Sequence, residues 1–194
     1  DGTLYRSSSP INPEMVRNTF ADAAAAEAGV RTFVNLADTE AEATAYPGYA
    51  ESYYSAQNHI FLGLPAAFTT DAFKAGLANG FRFIIENEGP YLVHCTEGKD
   101  RAGLTAAILE CLMGATYDEV CADYMITYTN YYGVKKGEAR YDTILNSNIV
   151  KTLTKAFGVE DLKTADLSAC AEAYLTGIGL TAEEIAALKT NLSK

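Results

Sequence analysis

Tryptophan is absent from this 194-residue chain, histidine occurs only twice, and none of the four cysteines forms a CxxC pair. Zinc-site spacing is therefore missing, and neither a metal nor another cofactor is expected. No apolar run approaches the roughly 18 residues of a membrane-spanning helix, so no membrane span is expected. Positive charge is scarce: 15 Lys and Arg stand against 25 Asp and Glu, a formal net charge of -10. Non-specific nucleic-acid binding and attachment to anionic membranes both run on surplus cations, so neither suits this chain. An acidic protein can still hold an anion in a locally positive pocket, but such binding must be concentrated in one site. The GxxxxGK[ST] pattern of phosphate-loop NTPases and the GxSxG pattern of serine hydrolases are both missing. So is the second cysteine near Cys95 that a thioredoxin-like redox protein would need. Cys111, Cys121 and Cys170 lie in apolar stretches and are expected as buried small hydrophobes; no spacing argues for disulfides. The chain opens at Asp1 without a methionine, which leaves open a cytoplasmic protein or a secreted one with a removed signal peptide.

What is present is an ordinary globular composition, 48% hydrophobic. A chain of this length buries roughly 70% of its extended surface, enough to fold without staples. Residues 1–194 are expected as one domain, with a core over about 1–130 and a helical part over about 131–194. Strands are expected at 3–7, 31–37, 59–64 and 91–94. Helices are expected from Asn12, with Pro13 in the first position, through the alanine run to Gly29, and over 70–87 and 102–114. Residues 38–57 suit one or two short helices. Thr116 with Glu119, and Thr181 with Glu184, form capping boxes; further helices suit 139–157, 166–177 and 182–192. Strands alternate with helices and helices then dominate, which predicts an α/β fold with a central, mostly parallel sheet flanked by helices and a helical C-terminal part.

Chemistry concentrates in 91-YLVHCTEGKDRAG-103. A buried strand delivers Cys95 to the start of a loop at the carboxyl end of the sheet, where α/β active sites lie. The backbone N–H groups of residues 96–101, from Thr96 and Glu97 onward, can curl toward one point. The helix that follows adds free N–H groups and its positive dipole end. Gly98 permits the turn, Lys99 adds charge at the rim, and Arg101 offers a planar fork matching two phosphate oxygens. The same donors stabilise a thiolate at Cys95. A thiolate beneath a bound phosphate is a nucleophile in position, and a two-step reaction through a cysteinyl-phosphate follows. A sulfurtransferase could use a similar cysteine, but Lys99-Asp100-Arg101 and the helix behind it favour phosphate.

The stretch His94 to Gly103, HCTEGKDRAG, resembles the signature loop of cysteine-based protein tyrosine phosphatases, and more closely that of the bacterial tyrosine and dual-specificity branch. Leu4-Tyr5-Arg6-Ser7 is similar to the same branch. The resemblance implies a phosphotyrosine or dual-specificity phosphatase acting on phosphorylated protein or a small phosphomonoester. Phosphoinositides or inositol phosphates are the alternative substrates, and a catalytically weak phospho-ligand binding module is the alternative role. It implies Cys95 as nucleophile, Arg101 as phosphate clamp, His94 as the group that tunes the cysteine and holds the loop, and Lys99 and Asp100 as marks of the branch. Many relatives carry Ser or Thr after the arginine, where this chain has Ala102 followed by Gly103; Thr105 is one turn further on. A slower second step is the expectation.

The general acid is the open position. Relatives place an aspartate some 30 residues before the cysteine, but 61-FLGLPAAF-68 holds no acid. Asp100 is ranked first, with Asp38 and Asp71 as alternatives. Asp100 can equally serve as an internal partner of Arg6 or Arg101. Arg6 is expected to be structural rather than a substrate contact. The tyrosine-rich run 124–140 is read as packing between helices.

Overall fold

The computed structural model describes residues 2–194. Four strands form one sheet: β1 (Leu4–Ser8), β2 (Thr32–Asn35), β3 (Asn58–Phe61) and β4 (Tyr91–Cys95). Their order is β1-β4-β2-β3, and every pairing is parallel. β4 and β2 are buried throughout, whereas β3 and most of β1 keep partial exposure, as edge strands do. The last strand of the sequence thus lies between the first and the second. Its final residue, Cys95, is level with Ser8 of β1.

Side chains alternate across the sheet. Phe33 and Leu92 face a smaller core with Ile11, Ala25, Val30 and Tyr54. Val34, Val93 and Cys95 face the larger core. The larger core is built by α3 (Asp71–Glu86), α4 (Arg101–Leu112), α5 (Tyr117–Tyr132) and the C-terminal helices. α1 (Asn18–Glu27) and α2 (Glu40–Thr44) cover the other face. The α/β architecture, with helices flanking a parallel sheet and a helical C-terminal region, is the one expected. α4 is buried on nearly every side, which explains a sequence apolar all round. Both expected capping boxes are present, at Thr116–Glu119 and Thr181–Glu184.

Four expectations need correction. The helix from Asn12 is two pieces: Asn12 caps a single 3-10 turn (Pro13–Met15), and α1 begins only at Asn18. Val16 breaks them apart by adopting φ 53°, a left-handed backbone that β-branched residues rarely take. The third strand ends at Phe61 rather than Leu64, because Gly63 turns left-handed and packs so close to Thr39 that a Cβ would meet its methyl at 2.8 Å. Residues 139–157 form α6 (Ala139–Leu145), a π turn (Asn146–Val150) and α7 (Lys151–Phe157) rather than one regular helix. The chain ends with α8 (Leu167–Gly177) and α9 (Ala182–Leu192). Cys111 and Cys121 are buried, but Cys170 is only half-buried; all four thiols are free. No helix among the described residues is long and apolar enough to cross a membrane.

Candidate active site

Central strand β4 delivers Cys95, 3% exposed, to the carboxyl edge of the sheet. The loop 96–100 then turns into α4. Two features fix its path. Gly98 has φ 80°, and an added Cβ would meet the Ser7 carbonyl carbon and oxygen at 2.5 Å, so the loop lies directly on the backbone of β1. The Gly98 carbonyl accepts a hydrogen bond from Arg6 Nη1 at 2.6 Å, and the Thr96 carbonyl accepts one from the Ser9 N–H at 3.1 Å.

With the carbonyls tied down, the donors are left. Among the described residues, no protein acceptor meets the backbone N–H groups of residues 96–100. Asp100, in the N-cap position of α4, makes no side-chain cap, so the first donors of that helix are also unused. Such a concentration of amide donors at a helix start is an anion site by construction. Arg101 closes it. Its Nη1 donates to the Leu64 carbonyl at 2.7 Å and its Nη2 to the Thr96 hydroxyl at 3.3 Å. Two anchors orient the fork and leave its other donors for a ligand.

Around this centre the expected residues fall into place unevenly. His94 points to the opposite face of the sheet, where its Nε2 lies 3.4 Å from the Tyr54 hydroxyl. Burial first, and the Arg101 charge as well, push its pKa down to about 3, so the imidazole is neutral at physiological pH. Its Nδ1 is buried without a partner. Lys99 donates to Asp100 at 2.9 Å and lies 3.4 Å from Glu97. Burial alone would lower its pKa, but the hydrogen bond and charge of Asp100 outweigh it, and Lys99 stays cationic. Ala102 and Gly103 are buried in the first turn of α4. Thr105 gives its hydroxyl to the Arg101 carbonyl at 2.9 Å, so it offers no donor to the Cys95 sulfur.

The three acid candidates differ sharply. Asp38 is buried, and its carboxylate already accepts from Asn35 at 3.0 Å and from Tyr46 at 2.8 Å. Asp71 is exposed in the first turn of α3. Asp100 alone belongs to the loop, with a side chain 45% exposed. Arg6, only 8% exposed, bonds Asp123 and Thr127 on α5 as well as Gly98, and so ties the loop to that helix.

Several residues around the loop had no signal in the sequence. Ser9, Asp123 and Thr127 act through contacts between distant parts of the chain. The tyrosine run divides: Tyr124 and Tyr128 are buried, while Tyr132 donates to Glu97 of the loop at 2.9 Å. Tyr131 lies 3.5 Å from the Ser8 hydroxyl, and the Arg17 guanidinium stacks 3.5 Å above its ring. Arg17 Nη1 is buried with no hydrogen-bond partner.

A cysteine at the carboxyl end of a central parallel strand, followed by a loop of unpaired amides and an arginine at a helix start, fits a cysteine-based phosphatase fold of the protein tyrosine phosphatase type. Residues 12–194 match the family described as the tyrosine phosphatase family, and the chain belongs to it. A tyrosine-protein phosphatase of Nostoc commune is 27% identical, over 58% of this chain and 42% of the relative. The chain thus spans less than half the length of that relative. Among solved structures, the core catalytic domain of a PP-IP phosphatase from S. cerevisiae, in complex with citrate, superposes with a TM-score of 0.45 at 17% identity. That alignment covers 76% of this chain and 81% of the yeast chain.

Proposed function

We propose that this chain hydrolyses phosphomonoesters through a cysteinyl-phosphate on Cys95. The observation that carries the reading is the set of unpaired N–H groups of residues 96–100 around a buried cysteine, closed by the anchored fork of Arg101. The Cys95 thiolate attacks phosphorus, the ester P–O bond breaks, and the leaving oxygen takes a proton from Asp100. Water then attacks phosphorus, the P–S bond breaks, Asp100 takes the water proton, and inorganic phosphate leaves. The loop amides and Arg101 hold the equatorial oxygens through both steps. His94, neutral and on the far face, supports the strand end rather than moving a proton.

Asp100 is assigned as the acid by position, since Asp38 is committed elsewhere and Asp71 sits on a different helix. The loop sequence supports a place in the bacterial tyrosine and dual-specificity branch. For the substrate, a phosphorylated inositol compound is a better fit than phosphorylated protein, because of the groove described below.

Cys95→Ser is expected to lower phosphate release from a generic aryl phosphate by roughly four orders of magnitude, as loss of a covalent nucleophile does. Binding of phosphate or vanadate should persist. Near wild-type turnover in this variant would rule the mechanism out. With Ala102 and the committed Thr105 offering no hydroxyl to the departing sulfur, the second step is expected to be the slow one. Rapid-quench kinetics should then show a burst of leaving group equal to the enzyme concentration. A phospho-ligand binding module would show binding with neither burst nor release.

A further inference from the structure

A large concavity lies beside the candidate active site rather than in it. It is a groove of about 810 Å³, walled by the loop after β3 and by α3 on one side and by α7 and α8 on the other. Lys74 enters it from α3, and Lys151 and Lys155, one helical turn apart, enter it from α7. Among the described residues, none of the three pairs with a carboxylate. No Asp or Glu lines the groove at all. On a chain with 25 acidic and 15 basic residues, that lining is a concentrated positive field.

Neighbouring residues link the groove wall to the catalytic loop. The Leu64 carbonyl anchors Arg101, and the chain runs from there directly into the groove wall at Ala66–Phe68. A smaller cavity containing Asp100 shares Phe68, Ser147 and Thr152 with the groove. The π turn contributes Ser147 and is held by Asn148, which donates to the Tyr128 hydroxyl at 2.7 Å.

We propose that Lys74, Lys151 and Lys155 bind the remaining phosphates of a soluble, polyphosphorylated small molecule whose scissile ester lies over Cys95. This rests on the phosphatase reading above and deepens it by naming the substrate class. Lysine ammonium groups act as mobile point charges and suit phosphates of varied geometry. A peptide bound by strand addition would need a strand edge, and no strand residue lines the groove. A bilayer would need insertable side chains around the opening. The exposed large apolar residues, Val16, Phe20, Met113, Ile126, Tyr131 and Tyr132, all lie outside the lining. Phe157 and Tyr174 instead give the carbon skeleton of a ring an apolar wall.

Binding is measured by calorimetry on Cys95→Ser, so that nothing turns over, in about 0.15 M salt, where only concentrated charge survives screening. Inositol hexakisphosphate is the polyphosphate probe and phenyl phosphate the monophosphate control. Replacing all three lysines by alanine is expected to weaken the first by about tenfold or more, equivalent to about 1.4 kcal/mol, and the second less than twofold. Should the triple variant melt early, Lys151→Ala with Lys155→Ala carries the same expectation, both side chains being exposed. Equal affinity of parent and variant for inositol hexakisphosphate would overturn the proposal. So would lysine dependence seen only with an acidic phosphotyrosyl peptide, or only with vesicles containing phosphatidylinositol phosphates. Absence of phosphate release by the wild-type protein, with lysine-dependent binding intact, would sink the hydrolase reading and uphold the groove as a polyphosphate site.

Discussion

The loop after β4 and the segment after β1 leave the same edge of the sheet side by side, for Ser8 lies opposite Cys95. The loop is fixed from several directions: Gly98 lies on the β1 backbone, Arg6 and Ser9 hold its carbonyls, Arg101 is anchored to Leu64, and Tyr132 reaches Glu97. The neighbouring segment is the reverse. Val16 is 81% exposed on a left-handed backbone, Phe20 is 77% exposed, and Arg17 keeps a buried nitrogen without a partner. The difference teaches how such a site is divided. Donors that must meet developing charge need a fixed backbone, because reorganisation during reaction would forfeit their advantage. The segment beside it carries no such demand and keeps an unpaired group and strain.

The largest effect is expected from breaking the fixed side. Gly98→Ala places a Cβ against the Ser7 backbone and demands φ 80° of an alanine. A loss of about 3 kcal/mol follows from overpacking with strain. The melting temperature should fall by roughly 6–12 °C, and phosphate binding should vanish. A stable Gly98→Ala protein that binds phosphate normally would show that the loop is not held by β1.

Arg6→Ala removes the tie between the loop and α5. It leaves the Gly98 carbonyl and the Asp123 carboxylate unpaired, but Asp123 is 38% exposed and can turn to water. A loss of about 2 kcal/mol is expected, below that of a fully buried pair. Phosphate affinity should drop severalfold, whereas a purely structural brace far from the loop would lower stability alone.

Glu110 sharpens the same comparison through pH. Burial first, then the charge and hydrogen bond of Asp123, push its pKa up to about 8, with Arg6 pulling the other way. The unfolded chain releases that proton near 4.5. Between those values the native state holds more protons than the unfolded state, so stability falls as pH rises through the window and levels off above it. The melting temperature should therefore drop between about pH 6 and about pH 8, and Glu110→Gln should flatten that part of the profile. An unchanged slope in the variant would move the titration to another group.

The smallest effect lies in the neighbouring segment. Val16→Gly relieves the left-handed backbone and loses little packing, at a modest entropic cost, so a gain of about 1 kcal/mol or less is expected. A thermal melt decides it, and destabilisation would mean that the Val16 side chain does more than its exposure suggests.

Much of this site was written in local sequence. Cys95, Gly98 and Arg101 could be placed because a strand, a tight turn and a helix start each have short-range signatures. The capping boxes at Thr116 and Thr181 are equally local. The break at Val16 was not legible, since the Asn12-Pro13 start is a sound helix signal and valine carries no left-handed preference. Nor was the division of the tyrosine run: Tyr128 and Tyr132 lie one turn apart, and only the neighbours of α5 decide that one packs inward and the other reaches Glu97.

The sequence by itself determined the parallel α/β class and the strand-loop-helix segment that carries Cys95, because strand patterning, turn chemistry and helix starts depend on residues a few positions apart. Tertiary structure decided the rest. The strand order that puts β4 between β1 and β2 comes from crossovers that leave no local mark. The tie from Arg6 to Gly98 joins residues 92 positions apart, and the groove brings Lys74 to Lys151 and Lys155 only when α3 and α7 meet across the fold. Contacts of that range are set by how buried faces pack against one another, which no short window of sequence contains.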